Sequence, residues 1–236
     1  MAKSDRAAVA VPASKQSRWE ERSTNRVLEG RRDQILERSR QIVEAAYELL
    51  EADGLDGLTI RAVLKSTGLS RRAFYERFAD KDELVLAVFE EALRFAARRY
   101  GEQVKSVADP LERMRLIVTG IALGTSSLDT MDSGYGRRGA AAISREHLRL
   151  AESRPDDLQA ALSPLIALIA QQLADGMQAG LVRRCDPQRL ATLVYGLIST
   201  TVHSELLTQT AVQPDRERSV QLAADLWEFC RRAIAT

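Results

Sequence analysis

Histidine and cysteine are scarce in this 236-residue chain, with two of each, and aromatic residues make up only 5%. Each shortage closes off a class of function. Cys185 and Cys230 lie far apart and flank no metal-ligand spacing, so they read as reduced thiols, not as a disulfide framework or a zinc site. With only His147 and His203 available, a histidine-based metal or catalytic cluster has little to draw on. There is no glycine-rich phosphate loop, no Gly-x-Ser-x-Gly elbow and no His-Glu-x-x-His pair, and the carboxylates follow the spacing of helix surfaces. No enzyme, no cofactor and no metal are expected. No run of about 18 apolar residues offers a membrane span. The short apolar patch Ala7–Ala13 lacks the length of a signal-peptide core, so the expected location is the cytoplasm. Charge of one sign is missing too, because the formal net charge is +1. Its distribution is mildly uneven. Through Lys81 there are 16 Lys and Arg against 13 Asp and Glu; of the chain's 34 and 33, that leaves 18 against 20 beyond. Such a balance fits a basic head on a neutral or acidic body.

What is plentiful is Ala, Leu, Arg, Glu and Asp, which favours helix over sheet. Met1–Gly30 lacks periodicity and is expected to be a flexible arm with transient helix near Arg18–Leu28. Helical spacing begins after Arg31, with Ile35, Ile42, Ala46, Leu49 and Leu50 on one stripe and Gly54 at its end. Thr59 caps a short second helix that Gly68 breaks, and Ser70 caps a third, Arg71 to about Phe78. A fourth helix runs from Lys81 or Asp82 to about Gly101, and a fifth starts at Asp109-Pro110 and reaches about Leu123. Ser126–Arg138 reads as loop or broken helix. A sixth helix spans about Gly139–Glu152, and a seventh, opened by Pro155, spans about Leu158–Ala179. An eighth starts at Asp186-Pro187 and a ninth at Pro214-Asp215. The expected fold is all-α with about nine helices: an arm (1–30), a helix-turn-helix domain (31–81) and a larger helical domain (82–236).

The chemistry concentrates in Thr59–Lys81, TIRAVLKSTGLSRRAFYERFADK. A four-residue connection, Ser66-Thr67-Gly68-Leu69, joins two short helices, which is the geometry of a DNA-binding helix-turn-helix. Gly68 supplies the positive φ of the turn, and Leu69 plugs the angle between the helices. Phe74 and Phe78 lie four apart and share a buried face. Arg71, Arg72, Tyr75 and Arg77 are left on the outer side, where arginine can pair with guanine or phosphate and tyrosine can reach a phosphate. Lys81, at the opening of the fourth helix, suits a phosphate as well. Solvated charges on an ordinary helical hairpin would look the same in isolation.

About Gln34–Leu93 resembles the N-terminal domain of TetR/AcrR regulators. The likeness rests on Ile42-Val43-Glu44-Ala45-Ala46, Gly54, Leu58-Thr59-Ile60-Arg61, Gly68-Leu69-Ser70, Phe74-Tyr75-Glu76-Arg77-Phe78 and Lys81-Asp82-Glu83-Leu84, in order and without a gap. The resemblance implies that Thr59 caps the second helix beside a phosphate and that Arg61 reaches a phosphate or a base. Arg71, Arg72 and Ala73 form the base-reading start of the recognition helix, and Ser70, its cap, counts among the DNA contacts. Tyr75 and Arg77 occupy backbone-contact positions, and Lys81 is a phosphate-contacting lysine. Arg72 departs from the pattern, which usually has a small residue there, often glycine; it reads an extra guanine or is turned aside to a phosphate.

The resemblance further implies that the larger domain binds a small-molecule effector and dimerises, so that a dimer meets a palindromic operator as a repressor. The residues themselves show broad apolar stripes: Leu190, Leu193, Val194, Leu197, Ile198 and Val202 on the eighth helix, and Val220, Leu222, Ala223, Leu226, Trp227 and Ile234 on the ninth. These bury within one chain or form a four-helix seam with a second copy; a homodimer through the last two helices is expected. Phe95, Tyr100, Met114, Ile117, Met131, Tyr135, His147, Leu165 and Met177 mix apolar bulk with polar handles and are candidate effector contacts. His147, beside Arg145, Glu146 and Arg149, also reads as a surface histidine, and His203 as a polar core or seam residue. The competing reading is a helical protein-interaction module without DNA binding, which explains the stripes but not the cationic third helix.

Overall fold

In the computed structural model, which describes residues 18–124, 145–208 and 216–236, every described element is helical. The helices are α1 (Arg18–Gly57), α2 (Ile60–Thr67), α3 (Arg71–Tyr75), α4 (Lys81–Val104), α5 (Pro110–Leu123), α6 (145–153), α7 (Pro155–Gln178), α8 (Pro187–Thr208) and α9 (Arg216–Ile234). Among the described residues no strand forms; a single antiparallel bridge joins Val182 to Ala235. Two compact units divide the chain, Met1–Arg40 and Gln41–Thr236.

In the first unit, regular helix starts at Arg18, not after Arg31, so the second half of the expected arm is helical. The helix expected as transient near Arg18–Leu28 is thus continuous with the one expected after Arg31, and Ile35, expected on the apolar stripe, is exposed. Local bonds are short-range, as in Ser39 Oγ donating to the Ile35 carbonyl at 2.8 Å.

In the second unit, helix boundaries follow their capping residues. Gly54 takes φ 71° and ψ −164°, bending the end of α1, as only glycine does without strain. Thr59 Oγ1 accepts the Ala62 amide at 3.1 Å, Asp80 accepts Glu83, and Asp109 accepts Leu111 ahead of Pro110. Asp186 repeats the device by accepting the Gln188 amide at 2.9 Å. Pro214-Asp215, all of Ser126–Arg138 and positions 139–144 of the expected sixth helix lie outside the described residues; positions 145–152 of that helix are helical, in α6.

Two apolar clusters share α4. One gathers Ile42, Ala46 and Leu50 of α1 with Leu58, Val63, Phe74, Phe78, Leu84, Val85 and Val88. The other takes Leu86, Phe89, Leu93, Ala97 and Tyr100 from the opposite side and continues through α5 to α9. Alternate faces of one long helix thus belong to different cores. Arg113 ties α5 to α7 through Asp175 at 3.0 Å. By length and composition α7 is long and apolar enough to cross a membrane, although polar residues interrupt its apolar run. Here it packs on α4, α5 and α8, burying Leu165, Ile169 and Leu173 in the shared core.

Candidate nucleic-acid interface

Helix α3 has only five residues, far too few to hold itself together, so its geometry depends on its ends and its underside. Gly68 adopts φ 67° and its amide closes α2 on the Leu64 carbonyl at 3.0 Å. Thr67 Oγ1 donates to the Val63 carbonyl at 2.8 Å and stiffens the same turn. Ser70 Oγ then accepts the Ala73 amide at 3.2 Å and starts α3. Underneath, the Phe74 side chain is 0% exposed, with Phe78 tilted against it at 5.7 Å between ring centroids. The expected turn and the two-ring anchor are both present.

The outer face carries Arg71, Arg72 and Tyr75, all exposed, with Arg61 exposed on α2 beside exposed Thr59 and Ser70. Tyr75 stands edge-on to Phe74 at 5.3 Å and 88°, so a buried ring braces an exposed one. Ala73 is half-buried. Arg72 is not free: its Nε donates to Glu76 Oε1 at 3.0 Å, one turn along. Lys81 is half-buried, its Nζ donating to the Leu55 carbonyl at 3.3 Å across the end of α1.

Arg77 corrects the expectation of an outward cation. Its side chain is only 7% exposed, and Nη1 donates to the carbonyl of Ala73. Periodicity could not foresee this, because α3 ends before Arg77 and the chain there no longer follows helical spacing. The only cue was local: Glu76, its neighbour, offers a counter-charge at 3.6 Å.

Of the candidate effector contacts, Tyr100, Met114, Ile117 and Leu165 are buried in one core, and Met177 packs against it. The Tyr100 ring fits because position 120 is glycine: a Cβ there would sit 2.6 Å from Tyr100 Cε1. Burial pushes the Tyr100 phenol up, so it stays protonated. Phe95 does not join them; it is 46% exposed, since α4 turns that face outward. Met131 and Tyr135 lie outside the described residues.

His147 is half-buried, unlike the surface histidine its charged neighbours suggested. Its Nδ1 lies 3.4 Å from the Tyr195 hydroxyl, and its ring packs near Phe89 and Tyr195. Burial first, and the charge of His203 second, hold its pKa below the ordinary histidine value. Beside it, buried Glu146 receives the Arg149 guanidinium, which also reaches Asp82 at the start of α4 at 3.3 Å. Tyr195 and Glu146 were missed as site residues; their partners are distant in sequence or masked by a surface-like charge run.

Comparison with known proteins bears on this geometry. The model of bacterial regulatory proteins of the tetR family matches residues 42–88, the span holding the two short helices and the first core. The HTH-type transcriptional repressor Rv1474c of Mycobacterium tuberculosis is 27% identical over 179 residues, covering 72% of this chain and 95% of that protein. The fatty acid metabolism regulator protein of Bacillus subtilis is 23% identical, covering 69% of this chain and 80% of that protein. A crystal structure of the transcriptional regulator FadR from Bacillus subtilis in complex with stearoyl-CoA matches with a TM-score of 0.60 at 19% identity, covering 81% of this chain and 96% of that one. The capped helix pair and its two-phenylalanine anchor thus lie within the stretch, residues 42–88, that matches the model of bacterial regulatory proteins of the tetR family, and the chain is similar to such regulators over most of its length.

Proposed function

We propose that this chain is a ligand-responsive transcriptional repressor whose homodimer binds a palindromic DNA operator and is released by a small-molecule effector. The observation that carries the reading is the division of α3: Phe74 is sealed into the core while Arg71, Arg72 and Tyr75 stand on the opposite, open side. Arg71, at the start of the helix, is the base reader, with Arg72 beside it and Ala73 leaving room for close approach. Tyr75, Lys81, Arg61, Thr59 and Ser70 serve the phosphate backbone. Residues 31–81 then form the DNA-binding domain and 82–236 the effector and dimerisation domain, in the cytoplasm.

The dimer is supported by apolar side chains that one chain leaves in water. Leu193 on α8 and Phe229 on α9 are each 62% exposed, and Val220 is exposed too. A second copy covers them in a four-helix seam. The effector is a molecule with an apolar body: Tyr100, Met114, Ile117 and Leu165 surround it with aliphatic and aromatic surface, and His147 with Tyr195 gives a polar handle. The crystallised FadR relative, named with stearoyl-CoA, supports an acyl thioester as the first compound to try. Release follows only if the effector binds one arrangement of the dimer better than the other.

The test is selection of bound duplexes from a random pool, followed by fluorescence anisotropy with the best sequence at several salt concentrations. Binding should weaken steeply with salt. Tyr75→Ala should weaken binding to all sequences, whereas Arg71→Ala should relax preference by about 1–3 kcal/mol at one base pair. A variant lacking both side chains that still holds its selected duplex at full strength overturns the assignment.

A further inference from the structure

A guanidinium normally stays in water unless something pairs with it, and the burial of Arg77 therefore needs a reason. That burial argues against the backbone-contact role implied by family resemblance, since a side chain 7% exposed offers little to a phosphate. Its bonds supply another role. The main-chain amide of Arg77 bonds to Phe74 at 2.8 Å, passing over the Ala73 carbonyl; that carbonyl instead accepts from the Arg77 guanidinium. The side chain thus closes the last turn of a helix of five residues. The same guanidinium faces Glu76 Oε2 at 3.6 Å, and the other oxygen of Glu76 holds Arg72 Nε at 3.0 Å. Arg72 itself is 89% exposed. A chain of charges therefore runs from the buried end of α3 to its open face. Arg77 Nε is buried with no hydrogen-bond partner among the described residues, so the group is held there by its two Nη1 contacts and by packing.

We propose that Arg77 is a positioning residue of the recognition helix and not a phosphate ligand: it caps α3 from its own C-terminal side and, by sharing Glu76, sets the aim of Arg72. With both arginines present the Glu76 carboxylate is divided between two cations. Without Arg77 it belongs to Arg72 alone, which is drawn back from the bases while the last turn of α3 loosens. This inference rests on the reading of α3 as the DNA-reading helix.

The experiment uses the full chain with the duplex selected from the random pool and a shuffled duplex of the same composition. Affinities of wild type, Arg77→Met, Arg77→Lys and Lys81→Ala are measured by anisotropy across a salt series, with thermal melts of each protein. Arg77→Met should lower the preference for the selected over the shuffled duplex by tenfold or more, leaving the shuffled affinity and the salt slope unchanged. Arg77→Lys, whose ammonium still reaches a carbonyl, should recover part of the preference. Lys81→Ala should weaken both duplexes and reduce the slope by about 0.9, the signature of one lost phosphate contact. A slope reduced by about that amount in Arg77→Met, with preference intact, makes Arg77 a phosphate ligand and overturns the proposal. So does a preference unchanged in both Arg77 variants. If Arg77→Met does not fold, Arg77→Lys decides by its preference alone, and wild-type preference there is also refuting. Absence of salt-dependent, sequence-selective binding by wild type would instead sink the DNA-binding reading beneath it.

Discussion

Adjacent residues on α3 should respond to truncation in opposite ways, and Phe74 and Tyr75 make the comparison clean. Phe74 is 0% exposed and touches both the Tyr75 and Phe78 rings, at 5.3 and 5.7 Å between centroids. Truncation to alanine removes a whole ring from a packed cluster and costs about 3–5 kcal/mol of stability, the upper part of that range applying where the surroundings cannot collapse. Collapse is restricted here, because Leu58 of the connection after α1, Val63 of α2 and Leu84 and Val88 of α4 surround the ring, and the starts of both helices are pinned by caps. Since a domain has only about 5–15 kcal/mol in total, Phe74→Ala should leave a protein that unfolds at markedly lower urea and binds DNA only in proportion to its folded fraction. Tyr75 is 48% exposed, so Tyr75→Ala should lose less than about 1 kcal/mol of stability, mostly the edge-on ring contact, while losing DNA affinity. The assay pairs urea denaturation followed by circular dichroism with anisotropy on the selected duplex. A Phe74→Ala protein destabilised by less than about 1 kcal/mol, or a Tyr75→Ala protein destabilised as much as it, would refute the two-sided description of α3.

Three further outcomes follow from the larger core. Gly120→Ala places a methyl 2.6 Å from the Tyr100 ring, and with Tyr100 buried the strain should cost about 1–3 kcal/mol, seen as a lower melting temperature; an unchanged melt would mean the helices separate freely there. His147 has its folded pKa held below the unfolded value near 6.5, so the unfolded state takes up the proton first. Its contribution to stability is therefore present above pH 6.5 and is lost as pH falls from there toward the folded pKa. Urea midpoints from pH 7.5 to pH 5 should fall less steeply in His147→Gln than in wild type, and parallel slopes would remove His147 from the account. For the proposed homodimer, Leu193→Glu with Phe229→Glu should give a monomer by light scattering; a dimer persisting in the double variant would place the seam elsewhere.

Short-range chemistry made much of the interface legible. The cap at Thr59, the left-handed Gly68, the cap at Ser70 and the four-residue spacing of Phe74 and Phe78 each involve atoms within one helical turn, and residue type alone restricts what such neighbours can do. The Asp-Pro starts at 109–110 and 186–187 were legible for the same reason. The continuity of α1 across Arg31 was not, because Glu29, Arg31, Arg32 and Asp33 give no apolar spacing to follow there. Phe95 turned out exposed because one α4 face remains uncovered, a matter of which helices pack where.

By itself, then, the order of residues determined an all-helical chain, the capped pair α2 and α3, and the two rings that anchor α3. Tertiary structure alone decided that Arg77 turns inward while Arg71 and Arg72 stay out, that His147 meets Tyr195 across 48 residues of sequence, and that Arg149 reaches Asp82 across 67. The reason is reach. Caps and positive-φ glycines answer to the nearest few atoms; Arg77 has its carbonyl and carboxylate close by in sequence too, but the packing that buries its guanidinium, like the partners of His147 and Arg149, exists only in the folded chain.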